Sequence, residues 1–265
     1  MKKILYTILF AISASCLIPE NLAAQTKLAF DGPYAGVSLG YNQTHVSEGG
    51  GVVVQYSFSP GSPYDASEEN DIAGNGKNSK SNGFIKGLNF GYDYRINNFV
   101  IGGEFGASTL GGTANGYAAM DSAKYSNAKI SSSTKISSLF IAKPKVGFVF
   151  DNKTMVYGMA GLARGKIKRT ILDLTSIEEC SCVWWANNAP LSSSQNKFGY
   201  TLGIGAETMI TDNFSLKFEI NYVNLGTISS KYSGSLDIVD GAFVSLEQST
   251  KITNKSTTLG LSYKF

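Results

Sequence analysis

Glu104, Lys143, Lys145, Arg164, Glu207, Lys217 and Glu219 fall in segments whose other residues alternate between bulky apolar and small polar types. Charges of both signs on one such face support two kinds of chemistry. Held in pairs they form a salt-bridge plug, because an unpaired buried charge is expensive. Free to rearrange, they form a gate that passes ions. Cys180-Ser181-Cys182 precedes Trp184-Trp185, and the two thiols leave three readings open: a local disulfide, a link to another chain, or a metal or haem role. A bond between residues two apart is strained, and a metal needs more ligands than two thiolates. His45 is the one imidazole in the chain. Nothing near it in sequence forms a nucleophile–base set, so no catalytic residue, metal site or cofactor is assigned.

Composition narrows the classes. Charged residues are 16% of 265, and the formal net charge is +3. That is no nucleic-acid footprint, and one histidine leaves little for acid–base or metal chemistry. Hydrophobic residues at 43% exclude a disordered chain. Lys2-Lys3, an apolar run over 4–18 and Leu22-Ala23-Ala24 make the three-part pattern of an export signal. The division expected is a signal peptide over 1–24 and one β-barrel domain over 25–265. Cys16 lacks the preceding leucine-like residue of a lipid-attachment site.

The elements that would position the charges repeat with period two, the period of strands. Val37, Leu39 and Tyr41 face away from Gly36, Ser38 and Gly40; Leu88, Phe90 and Tyr92 from Gly87, Asn89 and Gly91. Phe99, Ile101 and Phe105 oppose Gly102 and Glu104, and Phe140, Ala142, Val146 and Phe148 oppose Lys143 and Lys145. In a fifth segment Met155, Tyr157 and Met159 are set as the apolar face against Gly158, Ala160 and Arg164. Segments around Phe198–Glu207, Phe214–Tyr222 and Leu259–Phe265 complete eight. Pro144 removes a ladder hydrogen bond mid-strand, so a bulge is expected there.

Connections alternate in length. After the second, fourth and sixth segments they are about three residues. After the others they are long and rich in Ser, Asn, Gly and Lys: 47–82, 111–136, 168–197 and 227–255. Short turns at one end and long loops at the other characterise transmembrane barrels. The fold expected is all-β: an eight-stranded antiparallel up-and-down transmembrane β-barrel with four long extracellular loops and three short periplasmic turns. A soluble ligand-carrying barrel alternates too, but its solvent face should carry many Lys and Glu, whereas this polar face is mostly Gly, Ser, Thr and Asn.

Several runs in this order resemble a known family. Gly32-Pro33-Tyr34-Ala35-Gly36, Lys143-Pro144-Lys145-Val146-Gly147-Phe148 and Tyr157-Gly158-Met159-Ala160-Gly161 are similar to strands of opacity-type, OmpA-like β-barrel surface antigens, the alphaproteobacterial porin-like family. So is the run from Gly199 to Gly226, with Gly203-x-Gly205-x-Glu207 and Thr211-Asp212-Asn213. The terminal Tyr263-Lys264-Phe265 looks like the aromatic end by which such barrels are recognised for outer-membrane assembly, the role this gives Tyr263 and Phe265. The resemblance implies an integral protein of the bacterial outer membrane. Its members include porins, adhesins and haem binders, so the fold leaves function open. The expectation is a surface protein, not an enzyme, whose partners are outer-membrane lipid and a host or cell-surface ligand met through 47–82, 111–136, 168–197 and 227–255. The alternative is a small gated porin with a charged lumen.

Overall fold

The computed structural model describes residues 28–57, 69–76, 78–120, 129–151, 153–175, 191–235 and 243–265. These form β1 (Gly32–Ser57), β2 (Glu69–Gly76), β3 (Ser79–Ile96), β4 (Phe99–Leu110), β5 (Ala114–Met120), β6 (Lys129–Phe150), β7 (Thr154–Thr175), β8 (Leu191–Met209), β9 (Phe214–Ser235) and β10 (Phe243–Lys264). Neighbours pair antiparallel around a circuit that β1 and β10 close, from Tyr34 opposite Lys264 to Ser57 opposite Phe243. Closure removes the sheet edges. The short β2 and β5 continue the lines of β3 and β4 beyond their breaks, joining β1 to β6. The wall therefore has eight strand positions, as the alternation implies.

Turn chemistry closes the short-loop end. Asn97 and Asp151 take left-handed φ values of 55° and 48°, which Asn and Asp tolerate better than other side chains. At the third turn Thr211 Oγ1 accepts from the amide of Phe214 at 3.0 Å, and Ile210 N donates to Phe214 O at 2.8 Å.

The bulky apolar face points outward. Phe84 is 83% exposed and Phe198 74%, while the small residues between such positions face in. Tyr92, Tyr94, Phe99, Phe148, Phe214 and Tyr263 ring the short-turn end, and Tyr41, Phe84, Phe140, Phe198 and Tyr200 ring a higher level. From Phe84 to Tyr94 on β3, ten residues at ~3.4 Å each and a tilt near 40° give a band roughly 25 Å tall. That is the height of a transmembrane barrel's lipid-facing band.

Three features depart from the sequence reading. Where they are described, the segments 47–82, 111–136, 168–197 and 227–255 are almost wholly strand: β1 runs 26 residues, and β6, β7, β9 and β10 run 22 each. Above the band both sides of the wall lack lipid, so the apolar alternation fades while backbone pairing continues. Pro144 causes no bulge; Ala142 faces Leu162 and Lys145 faces Met159 in one unbroken register. The β6 shifts fall instead between Ser131 and Ser132 and between Ile136 and Ser138. Finally, β7 is turned over. Met155, Tyr157 and Met159 are buried inside, and Gly158, Ala160, Leu162 and Arg164 face out.

Candidate functional site

The lumen is filled in layers. At the short-turn end Phe30, Val100, Val149 and Met155 are packed together with almost no exposure. The chain before β1 reaches across this mouth, where Arg95 Nη1 donates to Ala29 O at 3.1 Å and Arg95 N to Asp31 Oδ1 at 3.1 Å. Phe30 takes a φ of 62° to place its ring inside.

Above it stand two four-membered rings of alternating charge. In the first, Lys145 Nζ lies 2.9 Å from Asp93 and 3.8 Å from Glu207, and Lys264 Nζ lies 3.2 Å from Asp93 and 3.1 Å from Glu207. In the second, Lys143 Nζ lies 3.1 Å from Glu104 and 2.7 Å from Glu219. Lys217 closes that ring against Glu104 and stands 3.6 Å from Glu219. Four lysines thus cancel four carboxylates, and every pair joins residues from different strands except Lys217–Glu219 on β9.

Two tyrosines tie the rings together. Tyr34 donates to Glu104 Oε2 at 2.9 Å, and its ring centre lies 4.5 Å from Lys145, 4.8 Å from Lys264 and 5.1 Å from Lys217. Tyr157 donates to Glu219 Oε1 at 2.8 Å. Glycines make the room: a Cβ on Gly91 would come 2.5 Å from the Tyr34 hydroxyl, and one on Gly205 2.5 Å from Tyr157 Cζ. Ser215 and Asn221 donate to Glu207 and Glu219 at 2.6 and 3.2 Å. Burying this many charges is tolerable only with such dense pairing of opposite signs, and Asp93 Oδ1, Lys145 Nζ and Glu207 Oε2 are held by charge without a hydrogen bond of their own.

A second apolar layer caps the rings. Ile85, Leu110, Leu139, Ile167, Val223 and Ile252 are among ten buried residues from six strands, none more than 6% exposed. Above them Arg169 Nη2 pairs with Glu48 Oε2 at 2.7 Å, with Ser132 and Thr250 donating to the same carboxylate at 3.1 and 2.8 Å.

Of the lumen charges expected from sequence, Glu104, Lys143, Lys145, Glu207, Lys217 and Glu219 lie in the rings. Arg164 does not. It is exposed on the outer wall, 5.5 Å from the centre of Phe198, because β7 turns Met155, Tyr157 and Met159 inward and so puts Gly158, Ala160 and Arg164 outside. Sequence reasoning misses Asp93 and Lys264 as ring members, although each alternates with outward aromatics: Asp93 with Tyr92 and Tyr94, Lys264 with Tyr263 and Phe265. Tyr34, Tyr157, Glu48 and Arg169 carry no signal beyond parity. His45 sits on the outer side of β1 opposite Lys80, not in the lumen. Tyr263 and Phe265 face out at the short-turn rim, with ring centres 5.1 Å apart. The segment 1–24 expected to be a signal peptide, Cys180, Cys182, Trp184 and Trp185 lie outside the described residues. Among the described residues, no group of three His, Cys, Asp or Glu could hold a metal ion.

The family model for the outer membrane protein beta-barrel domain matches residues 8–265. The chain belongs to that family. It is 28% identical over 262 residues to the 31 kDa outer-membrane immunogenic protein of Brucella melitensis, covering 96% of this chain and 93% of the relative. It is 31% identical to the 22 kDa outer membrane protein of Rhizobium leguminosarum over 43% of this chain and 41% of that one. Among solved structures, the attachment invasion locus protein of Yersinia pestis aligns at 16% identity and a TM-score of 0.38, covering 89% of this chain and 99% of that one. Family membership makes the protein an outer-membrane barrel, so its apolar band faces lipid and its short turns are periplasmic.

Proposed function

We propose that this protein is a surface-display barrel: a closed, rigid wall that carries its strand ends and their connections outward to meet host or cell-surface partners, while bracing the envelope. The observation that carries the reading is the filled lumen. An ion crossing it would have to open both cancelled charge rings and then pass an apolar layer of ten residues. Neither layer leaves the hydrated path a porin needs. Strands β1, β6, β7, β9 and β10 continue beyond the lipid band and carry their connections outward. The name of the Brucella relative, an immunogenic outer-membrane protein, is consistent with surface exposure.

In this reading residues 1–24 direct export, and Tyr263 and Phe265 mark the barrel for outer-membrane assembly. The protein is not an enzyme, and the charge rings are a structural plug. Two measurements test it. Refolded protein in a planar bilayer should be electrically silent; reproducible conductance steps that change with Glu104→Gln would make it a small porin. Cells displaying the barrel should lose adhesion to a host-cell monolayer when 58–68, 121–128, 176–190 and 236–242 are replaced by Gly-Ser linkers of equal length. Unchanged adhesion would remove the display reading.

A further inference from the structure

On the outer wall of β7 two features line up that together describe an amphiphile. Between the outward side chains of Val156 and Leu162 this strand presents only small residues, Gly158 and Ala160, beside bulkier neighbours on β6, β8 and β9. The result is a hollow of about 890 Å³ lined by Pro144, Val146, Leu202, Ile204 and Ile220. A side chain built on Gly158 would meet nothing within 4 Å. A second hollow of about 620 Å³ shares Val146, Gly158, Ile204 and Ile220, and continues the furrow toward Phe99 and Phe218.

Above the furrow, one outward position beyond Leu162, the same strand turns cationic. Arg164 sits at the upper aromatic level, flanked by Phe140 and Phe198 in register, and Lys166 and Lys168 follow on the same face. Lys135 of β6 lies directly opposite Lys168. Like charges facing each other across a strand pair are destabilising. Among the residues whose side chains are described, the carboxylate at this height is Glu48, and it points inward. Ser133, Ser194 and Asn196 surround the cluster with further donors.

An exposed quartet of cations at headgroup height, opening onto an apolar furrow at acyl-chain depth, has the charge and shape of a phosphorylated lipid. We propose that the β6–β7 outer wall is a binding site for a phosphorylated glycolipid of the outer leaflet, with its phosphates on Lys135, Arg164, Lys166 and Lys168 and an acyl chain along Gly158 and Ala160. Lysines also occur on the far side, as Lys80 and Lys251, but there the wall below is filled by Leu39, Tyr41, Phe84 and Leu259; Lys255, by contrast, lines the rim of the furrow itself. Only the β6–β7 wall offers both halves of the ligand.

The test counts lipid retained by the folded mature chain. Barrels are assembled in phosphatidylcholine nanodiscs containing a small fraction of bis-phosphorylated lipid A, released into mild detergent and studied by native mass spectrometry. Lipid A should be retained in excess over phosphatidylcholine, and its dephosphorylated form should not. K135S/K166S/K168S should lower retention roughly tenfold or more, and G158L/A160L should lower it without altering weak binding of soluble glucosamine phosphate. K80S/K251S should leave it unchanged. Equal retention of phosphorylated and dephosphorylated forms overturns the site with no variant needed. So does wild-type retention by the K135S/K166S/K168S variant, or an equal loss in the K80S/K251S variant, which would mean unspecific charge attraction. The outcome is independent of whether the distal connections bind a partner.

Discussion

The two sides of the same barrel wall treat charge in opposite ways. Inside, four lysines and four carboxylates are interleaved so that each lysine touches two acids, and none is more than 8% exposed. Outside, on β6 and β7, four cations stand in the open with no carboxylate beside them among the residues whose side chains are described. Charge withdrawn from solvent must be cancelled by the protein itself, so the inner set is complete and works as structure. Charge left at the membrane surface can be cancelled by something else, and that is the mark of a binding face. Whether a barrel residue is architecture or address thus depends on the parity of one strand.

The sharpest way to break this contrast is Lys145→Ala. The substitution removes the contacts to Asp93 and Glu207 and leaves two acids to share Lys264. Truncating one member of a buried ion network costs roughly 3–5 kcal/mol. Urea unfolding of the barrel in lipid bilayers, followed by the heat-modifiable gel shift, should show a loss of that order. A change below about 1 kcal/mol would mean that the rings are solvated and loosely held, which would favour a gate over a plug.

Glycines offer the next contrast. Gly205→Val drives a side chain into the Tyr157 ring and should destabilise by roughly 1–3 kcal/mol through overpacking. Gly103→Val, on the lipid side with nothing within 4 Å of its Cβ direction, should change stability by less than about 0.5 kcal/mol. Equal effects would show that strand propensity, not lumen packing, governs these sites. Below both should lie K135S/K166S/K168S. It removes a like-charge opposition, so the same unfolding assay should record no loss, and a gain of a few tenths of a kcal/mol at most.

Sequence alternation reveals the eight wall positions, the three short turns and six of the eight ring charges, because lipid on one side and a cramped lumen on the other leave a strong period-two signal. The signal weakens where that contrast ends. Beyond the band Ser, Thr, Asn and Lys occupy both faces, so the outer halves of β1, β6, β7, β9 and β10 read as loops although their ladders continue. On β7 the rule that bulk faces lipid fails, since Met155, Tyr157 and Met159 build the inner packing at the periplasmic end. That reversal misplaces Arg164 and hides the outer cation row. The closed ring geometry is not legible at all. Lys145 meets Asp93 and Glu207 from strands far apart in sequence, and no local pattern records which lysine faces which acid.

An effect expected to cancel lies beside the largest. Pro144 follows Lys143 and precedes Lys145, so one residue step separates a lipid-facing side chain from two buried charges. Its missing N–H coincides with a gap in pairing to β7, where the ladder skips from Ala142 to Lys145 without changing register. Pro144→Ala restores a donor, worth about 0.5–1.5 kcal/mol when it finds an acceptor. It also frees the unfolded chain, which costs about 0.4–1 kcal/mol. The two nearly cancel, so unfolding should move by less than about 1 kcal/mol, while amide exchange on the facing stretch of β7 slows. A loss as large as that of Lys145→Ala would mean that the proline ring aligns both rings of charge. The division between an architectural inner face and a tolerant outer face would then fail at the point where the two are covalently joined.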